Sequence, residues 1–151
     1  MTDQEFENLA KRYPDLFQKA QVDNFAIGIG WLPIVETLCN ALSYNIENAR
    51  SRLKYAIDNP TAKFSVDFSA LEAAVATELE KLPVIVQVKE KFGGLRFYTN
   101  GGTPEMHNYI HFAEMISRNM CEECGAPGKT RNGRWIRTLC EKHHKESGEE
   151  D

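Results

Sequence analysis

Long hydrophobic runs are missing from this 151-residue chain. The longest mostly apolar stretch, Phe25 to Val35, is broken by Gly28, Gly30 and Pro33, whereas a membrane helix needs about 20 consecutive apolar residues. A membrane span is therefore not expected. The first residues, Met1-Thr2-Asp3-Gln4-Glu5, have neither a basic nor an apolar leader region, so secretion is not expected either and the reading is cytoplasmic. Cysteine is scarce, with four in all, and three of them fall between positions 121 and 140. In a reducing compartment such crowding points to a metal site before it points to disulfides. Internal repeats and low-complexity linkers are also lacking, so helices and hairpin are expected to share one core. What is present, 42% hydrophobic and 26% charged residues, is the composition of one globular domain.

The net charge of -4 conceals a division. Residues 1–83 carry 8 Lys and Arg against 12 Asp and Glu, residues 84–145 carry 10 against 6, and residues 146–151 carry 0 against 4. Overall acidity opposes general coating of nucleic acid, but the basic second half leaves room for a local patch. The tail 146–151 has nothing to bury and is expected to be disordered.

Hydrophobic periodicity predicts an α+β fold, mainly helical, with a body over 1–119 and a zinc-binding module over 120–145. A short helix over 3–12 is capped by Thr2 or Asp3, and Leu16 and Phe17 continue with a second turn. Phe25 to Gly30 reads as an extended, glycine-punctuated approach to a long helix. Its Gly28-x-Gly30 pair lacks the third glycine and the Lys-Ser/Thr of a phosphate loop, so a close-packed turn is expected there. From Trp31 the stripe Leu32, Val35, Leu38, Cys39, Leu42, Ile46 and Ala49 has helical spacing, with Cys39 as a small buried hydrophobe. Asn59-Pro60 ends this helix. A further helix runs from a cap at Asp67 or Ser69 to Leu82.

Residues 84–99 carry the clearest strand pattern, a β-hairpin with Gly93-Gly94 as its two-residue turn. That turn places Val86, Val88, Phe92, Leu95 and Phe97 on a core face and Lys89, Lys91, Arg96 and Tyr98 on the other. Glu90 breaks the pattern, which calls either for a rim position with a cationic partner or for a bulge that shifts the register. Thr103-Pro104 then opens a helix with Met106, Tyr109, Ile110, Ala113, Ile116 and Met120 on its apolar face.

Cys121-Glu122-Glu123-Cys124 and Cys140-Glu141-Lys142-His143 are two ligand pairs, each with two residues between its members. This spacing lets one backbone turn aim both side chains at a single ion, and Cys3His is a closed tetrahedral zinc shell. One structural zinc per chain is expected, bound by Cys121, Cys124, Cys140 and His143, with His144 competing for the fourth place. Gly125 supplies the positive φ or close approach that the first knuckle requires. The hairpin between the pairs, with an Asn132-Gly133 turn and with Trp135 and Ile136 covering the metal, gives the order of a treble clef or zinc ribbon. Lys129, Arg131, Arg134 and Arg137 make this hairpin basic, which suits phosphate contacts or an acidic protein partner. The Lys89, Lys91, Arg96 and Tyr98 face offers a second surface of the kind that single-stranded nucleic acid uses, since bases stack on the ring while cations track phosphates.

His107, His111 and Glu114 share a helix side, but Asn108 stands where a metalloprotease has its glutamate base, and a polar exposed face is the plainer reading. No Gly-x-Ser-x-Gly elbow is present, and a non-enzymatic protein is expected.

The phrases Gly30-Trp31, Val88-Lys89-Glu90-Lys91-Phe92-Gly93-Gly94-Leu95-Arg96-Phe97-Tyr98, Cys121-Glu122-Glu123-Cys124-Gly125-Ala126-Pro127-Gly128, Trp135 and Thr138-Leu139-Cys140 resemble those of a group of small bacteriophage and prophage proteins with no established activity. The resemblance runs from about Gly30 to His143. It implies an accessory protein acting in a bacterial host on nucleic acid, host factors or components of host defence. The expected function is nucleic-acid binding through the basic zinc-held hairpin, with a protein-directed inhibitor or adaptor of host machinery, for example of a defence system, as the alternative.

Overall fold

The computed structural model describes residues 1–59 and 67–148. Helix α1 (Asp3–Arg12) begins with a capping box in which Thr2 and Glu5 satisfy each other's backbone N–H groups, which decides for Thr2 over Asp3 as the cap. Pro14 opens the one-turn helix α2 (Pro14–Phe17). A 3-10 turn (Ile29–Trp31) leads into α3 (Leu32–Asp58). Helix α4 (Phe68–Lys81) is capped by the Asp67 carboxylate, which accepts from the Ala70 N–H. Pro60 lies outside the described residues. Strands β1 (Val84–Lys91) and β2 (Gly94–Asn100) form an antiparallel hairpin, followed by α5 (Pro104–Ser117), capped by Thr103. Strands β3 (Lys129–Asn132) and β4 (Ile136–Leu139) form a second small ribbon, and α6 (Glu141–Ser147) closes the described chain. The fold is thus α+β. Glu146 and Ser147 complete α6 rather than belonging to a loose tail, and 149–151 lie outside the described residues.

The core forms where α3 and α5 pack on the β1–β2 hairpin. Trp31 of the 3-10 turn and Val35, Cys39 and Leu42 of the α3 stripe are buried with Ile85, Val88, Leu95 and Phe97 from the sheet and Met106, Ile110 and Ala113 from α5. Burial pushes the Cys39 thiol up to about 12, so it stays protonated and behaves as the small hydrophobe its place in the stripe suggests. The extended segment at Phe25 joins the edge of β1. The Ala26 N–H donates to the Val88 carbonyl and the Glu90 N–H to the Ala26 carbonyl, both at 2.9 Å. Phe25 thereby meets Phe6 edge-on at 5.2 Å and Phe97 at 6.1 Å, tying α1 to the sheet.

The hairpin register differs from the expected one. Lys91 pairs with Gly94, Lys89 with Arg96 and Val88 with Phe97, so Phe92 and Gly93 form the turn. Both adopt positive φ, 52° and 68°, as a type I′-like turn demands. Gly94 lies in the strand beside the Arg118 guanidinium, 3.2 Å from where its Cβ would be, and Gly93 is pressed on the backbone of Arg137. Phe92 accordingly leaves the core face and is 62% exposed. A bulge between Ile85 and Gln87 absorbs the offset: Ile85 is buried and Val86 half-buried. Glu90 now lies opposite Leu95 and caps the turn, accepting the Gly93 N–H at 2.7 Å. The partition of Lys89, Lys91, Arg96 and Tyr98 to the opposite face holds under the new register.

The Gly28-x-Gly30 turn is close-packed. A Cβ on Gly30 would lie 2.1 Å from the Cys121 carbonyl oxygen and 2.5 Å from the Gly125 nitrogen, and one on Gly28 would lie 2.1 Å from the Glu122 carbonyl oxygen. Gly30→Ala is expected to cost about 3 kcal/mol or more, because backbone on both sides has to separate. Gly101→Ala, with φ +71° but nothing nearby, should cost only about 1 kcal/mol. Urea unfolding midpoints of the two variants measure the difference.

Candidate metal centre

Cys121 and Cys124 sit on a knuckle that begins as α5 unwinds. The Gly125 N–H turns back to donate to the Cys121 carbonyl at 2.8 Å, with Gly125 at φ +75°. Cys140 is the N-cap residue of α6, and His143 lies in the first turn of that helix. The four side chains converge: His143 Nδ1 is 3.3 Å from Cys121 Sγ and 3.4 Å from Cys140 Sγ, and Cys124 Sγ is 3.9 Å from Cys140 Sγ. All four ligand atoms lie within 4.8 Å of one another. A tetrahedral ion with metal–sulfur bonds of about 2.3 Å requires sulfur–sulfur separations of about 3.8 Å and slightly shorter sulfur–nitrogen ones, so the donor set fits a bound metal. The Cys140 thiol is drawn down to about 7, first by the His143 backbone N–H, then by its contacts with Cys121 and Cys124, and last by the Lys142 N–H. A thiol already partly ionised at neutral pH loses its proton to a metal at little cost.

His143, not His144, is the histidine of the cluster, as the matching spacing favours. The Glu146 carboxylate stands 3.7 Å from His143 Nε2, behind the ring and on the side away from the sulfurs, where it favours the Nδ1-coordinating orientation. Among the described residues no second cluster of this kind forms. His107 and His111 are exposed on α5, and Glu114 instead accepts the Phe97 N–H at 2.9 Å, linking α5 to β2.

The second ribbon departs from expectation. Arg131 pairs with Arg137 and Asn132 with Ile136, so the loop is Gly133-Arg134-Trp135 and not a two-residue Asn-Gly turn. This register buries Thr138 and Leu139 against the body, where the Thr138 hydroxyl donates to the Gly93 carbonyl at 2.6 Å. Trp135 is thrown out to the loop tip, 65% exposed, and does not cover the metal.

The expected row of four cations is divided by internal ion pairs. Arg131 is buried, with Nη2 2.6 Å from Glu141 Oε1, so it joins β3 to the start of α6 and holds the Glu141 carboxyl below its ordinary range. Arg137 donates through Nε to Glu122 Oε1 at 2.5 Å and through Nη2 to Glu123, closing the knuckle onto β4. Glu122 is itself buried, and desolvation holds its carboxyl above the usual range despite Arg137. Lys129 and Arg134 remain on the surface. Compared with protein-family models, curated proteins and solved structures, the chain finds no match.

On the β1–β2 hairpin all four anticipated residues share one face. Lys89 Nζ lies 5.5 Å from the centre of the Tyr98 ring, and Lys91 Nζ lies 5.4 Å from the centre of the Phe92 ring, both within cation–π range. The sequence pattern did not expose Phe92 as part of this surface, because a Gly-Gly turn hides it in the core. Its αL backbone is the structural sign.

Replacing Cys124 or Cys140 by Ser is expected to abolish stoichiometric metal binding, and His143→Ala to weaken it about 100-fold or more, while His144→Ala retains one ion per chain. Elemental analysis together with a competing chelator reads all four variants.

Proposed function

We propose that this chain is a non-enzymatic binding protein that holds one structural zinc and contacts single-stranded nucleic acid through the outer face of its β1–β2 hairpin. Three thiolates and an imidazole in a tetrahedral arrangement suit zinc, and with four protein ligands no coordination position is left for substrate. The observation that carries the nucleic-acid reading is the pair of cation-aromatic contacts, Lys89 with Tyr98 and Lys91 with Phe92, beside Arg96 on the same hairpin. Exposed rings give bases a stacking platform, and the neighbouring ammonium groups meet phosphates. The second ribbon contributes less than its sequence suggests, since Arg131 and Arg137 are engaged by Glu141, Glu122 and Glu123. Arg134 and Trp135 at its tip extend the surface. The resemblance to small phage and prophage proteins supports reading this activity as one exerted in a bacterial cytoplasm.

The second reading is a protein-directed inhibitor or adaptor of host machinery. It is favoured by Trp135, a large exposed aromatic on a loop held by strands that the metal module anchors, which is the profile of an interface anchor.

Fluorescence polarisation with single-stranded DNA and RNA is expected to show binding whose log affinity falls with log salt with a slope of roughly -2, from three cations at about -0.7 each. Tyr98→Ala should weaken it by about 1–3 kcal/mol with the salt slope unchanged, whereas Lys89→Ala with Lys91→Ala should flatten the slope. Absence of binding at low salt, with a protein partner captured from nuclease-treated bacterial lysate and lost in Trp135→Ala, would transfer support to the second reading.

A further inference from the structure

Helices α3 and α5 leave an apolar groove of about 410 Å³ between them. Ile34, Leu38, Ala113 and Ile116 form its floor, and Tyr109 and Phe112 rise along one wall. Beside it stand large apolar side chains that the monomer leaves in water: Phe112 is 64% exposed, Met115 54%, and Tyr44, two turns along α3 from Thr37, 62%. Together with Tyr109 these expose roughly 400–500 Å², taking about 200 Å² for a large side chain in full. That is near the upper end of what a soluble monomer presents as one patch. The face is also poor in charge. The groove side of α3, positions 33, 34, 37, 38, 41, 44 and 45, has none, and on the α5 side the single carboxylate, Glu105, accepts the Tyr109 hydroxyl at 2.6 Å. Depletion of charge around aromatic residues and Met is what distinguishes the centre of a protein interface from ordinary surface.

We propose that this face is a two-fold interface between two copies of the chain, with Phe112 of each copy seated in the α3–α5 groove of the other. A two-fold interface requires one patch to supply both the projecting and the receiving surface. Here ridge and groove are adjacent, of matching apolar chemistry, and without an ionic feature that a charged partner would engage. The exposed side chains with the groove walls come to roughly 500–600 Å² per copy, at the lower limit of about 600 Å² per partner for a specific complex, which suits a concentration-dependent dimer. Glu114 and Arg118, on the opposite flank of α5, face β2, so pairing through the groove leaves the hairpin surface outside the interface.

Sedimentation equilibrium on the full, metal-loaded chain, from micromolar to sub-millimolar concentration, tests this. The expected result is a concentration-dependent rise to twice the monomer mass. Phe112→Glu and Met115→Arg should each return the mass to that of the monomer, with metal content and circular dichroism unchanged because both side chains are largely exposed. A chain that stays monomeric throughout, whatever else the groove accepts, would overturn the proposal. So would a dimer that persists in both variants.

Discussion

Backbone packed on backbone at the Cys121–Gly125 knuckle is the contact on which the rest of the molecule depends. Gly30 donates its N–H to the Glu122 carbonyl at 2.8 Å, and the buried Trp31 indole donates to the Met120 carbonyl at 2.7 Å. Gly28 and Gly30 leave no room for a side chain against the same strip. From the other side the Glu122 N–H reaches the Thr138 carbonyl, and Thr138 in turn holds the tip of the first hairpin through Gly93. A segment this short cannot hold its shape through apolar burial of its own. A metal held by the Cys3His cluster would fix it, and the start of α3, the β1–β2 turn and the second ribbon are all positioned against it.

The arrangement divides the polar side chains into two classes. Those nearest the knuckle, Arg131, Arg137, Glu122 and Glu141, spend their charge on one another. A buried arginine whose partner is removed leaves an uncompensated charge, so these residues belong to the scaffold. Farther out, on the β1–β2 hairpin, Lys89 and Lys91 are paired with aromatic rings instead of carboxylates and keep their charge available. The Cys3His cluster and the outer surface are therefore linked through the geometry of the knuckle and the hairpin tip it holds.

Much of this was legible in the residues. The cap at Thr103, the α3 stripe with Cys39 inside it, the close-packed Gly28-x-Gly30 turn and the Cys3His cluster all follow from local spacing, and the structure decides the two caps that spacing left open in favour of Thr2 and Asp67. What local rules missed are consequences of tertiary packing. The hairpin turn moved by one residue: Gly93 packs on the backbone of Arg137 and accepts from Thr138, 44 and 45 positions away, and Phe92 takes the other positive φ of the turn. The Asn132-Gly133 turn was displaced because burial of Thr138 and Leu139 sets the register of β4. Charge counting treated Arg131 and Arg137 as surface groups because their partners, Glu141 and the Glu122-Glu123 pair, look in sequence like spacers between ligands. A Glu-Glu pair inside a knuckle, beside a run of arginines with no acid of its own, is the signal that would have found them.

Amide exchange followed at Gly30 and Glu122, with the Trp31 indole proton, before and after metal removal by a chelator tests the organising role of the knuckle most directly. If the metal-held knuckle carries the docking, all three protons lose protection together on chelation, and the amides of the β1–β2 turn follow, while the middle of α3 around Leu42 keeps more of its protection. Retention of slow exchange at Gly30 and at the Trp31 indole in metal-free protein, with an unchanged thermal transition, would contradict it.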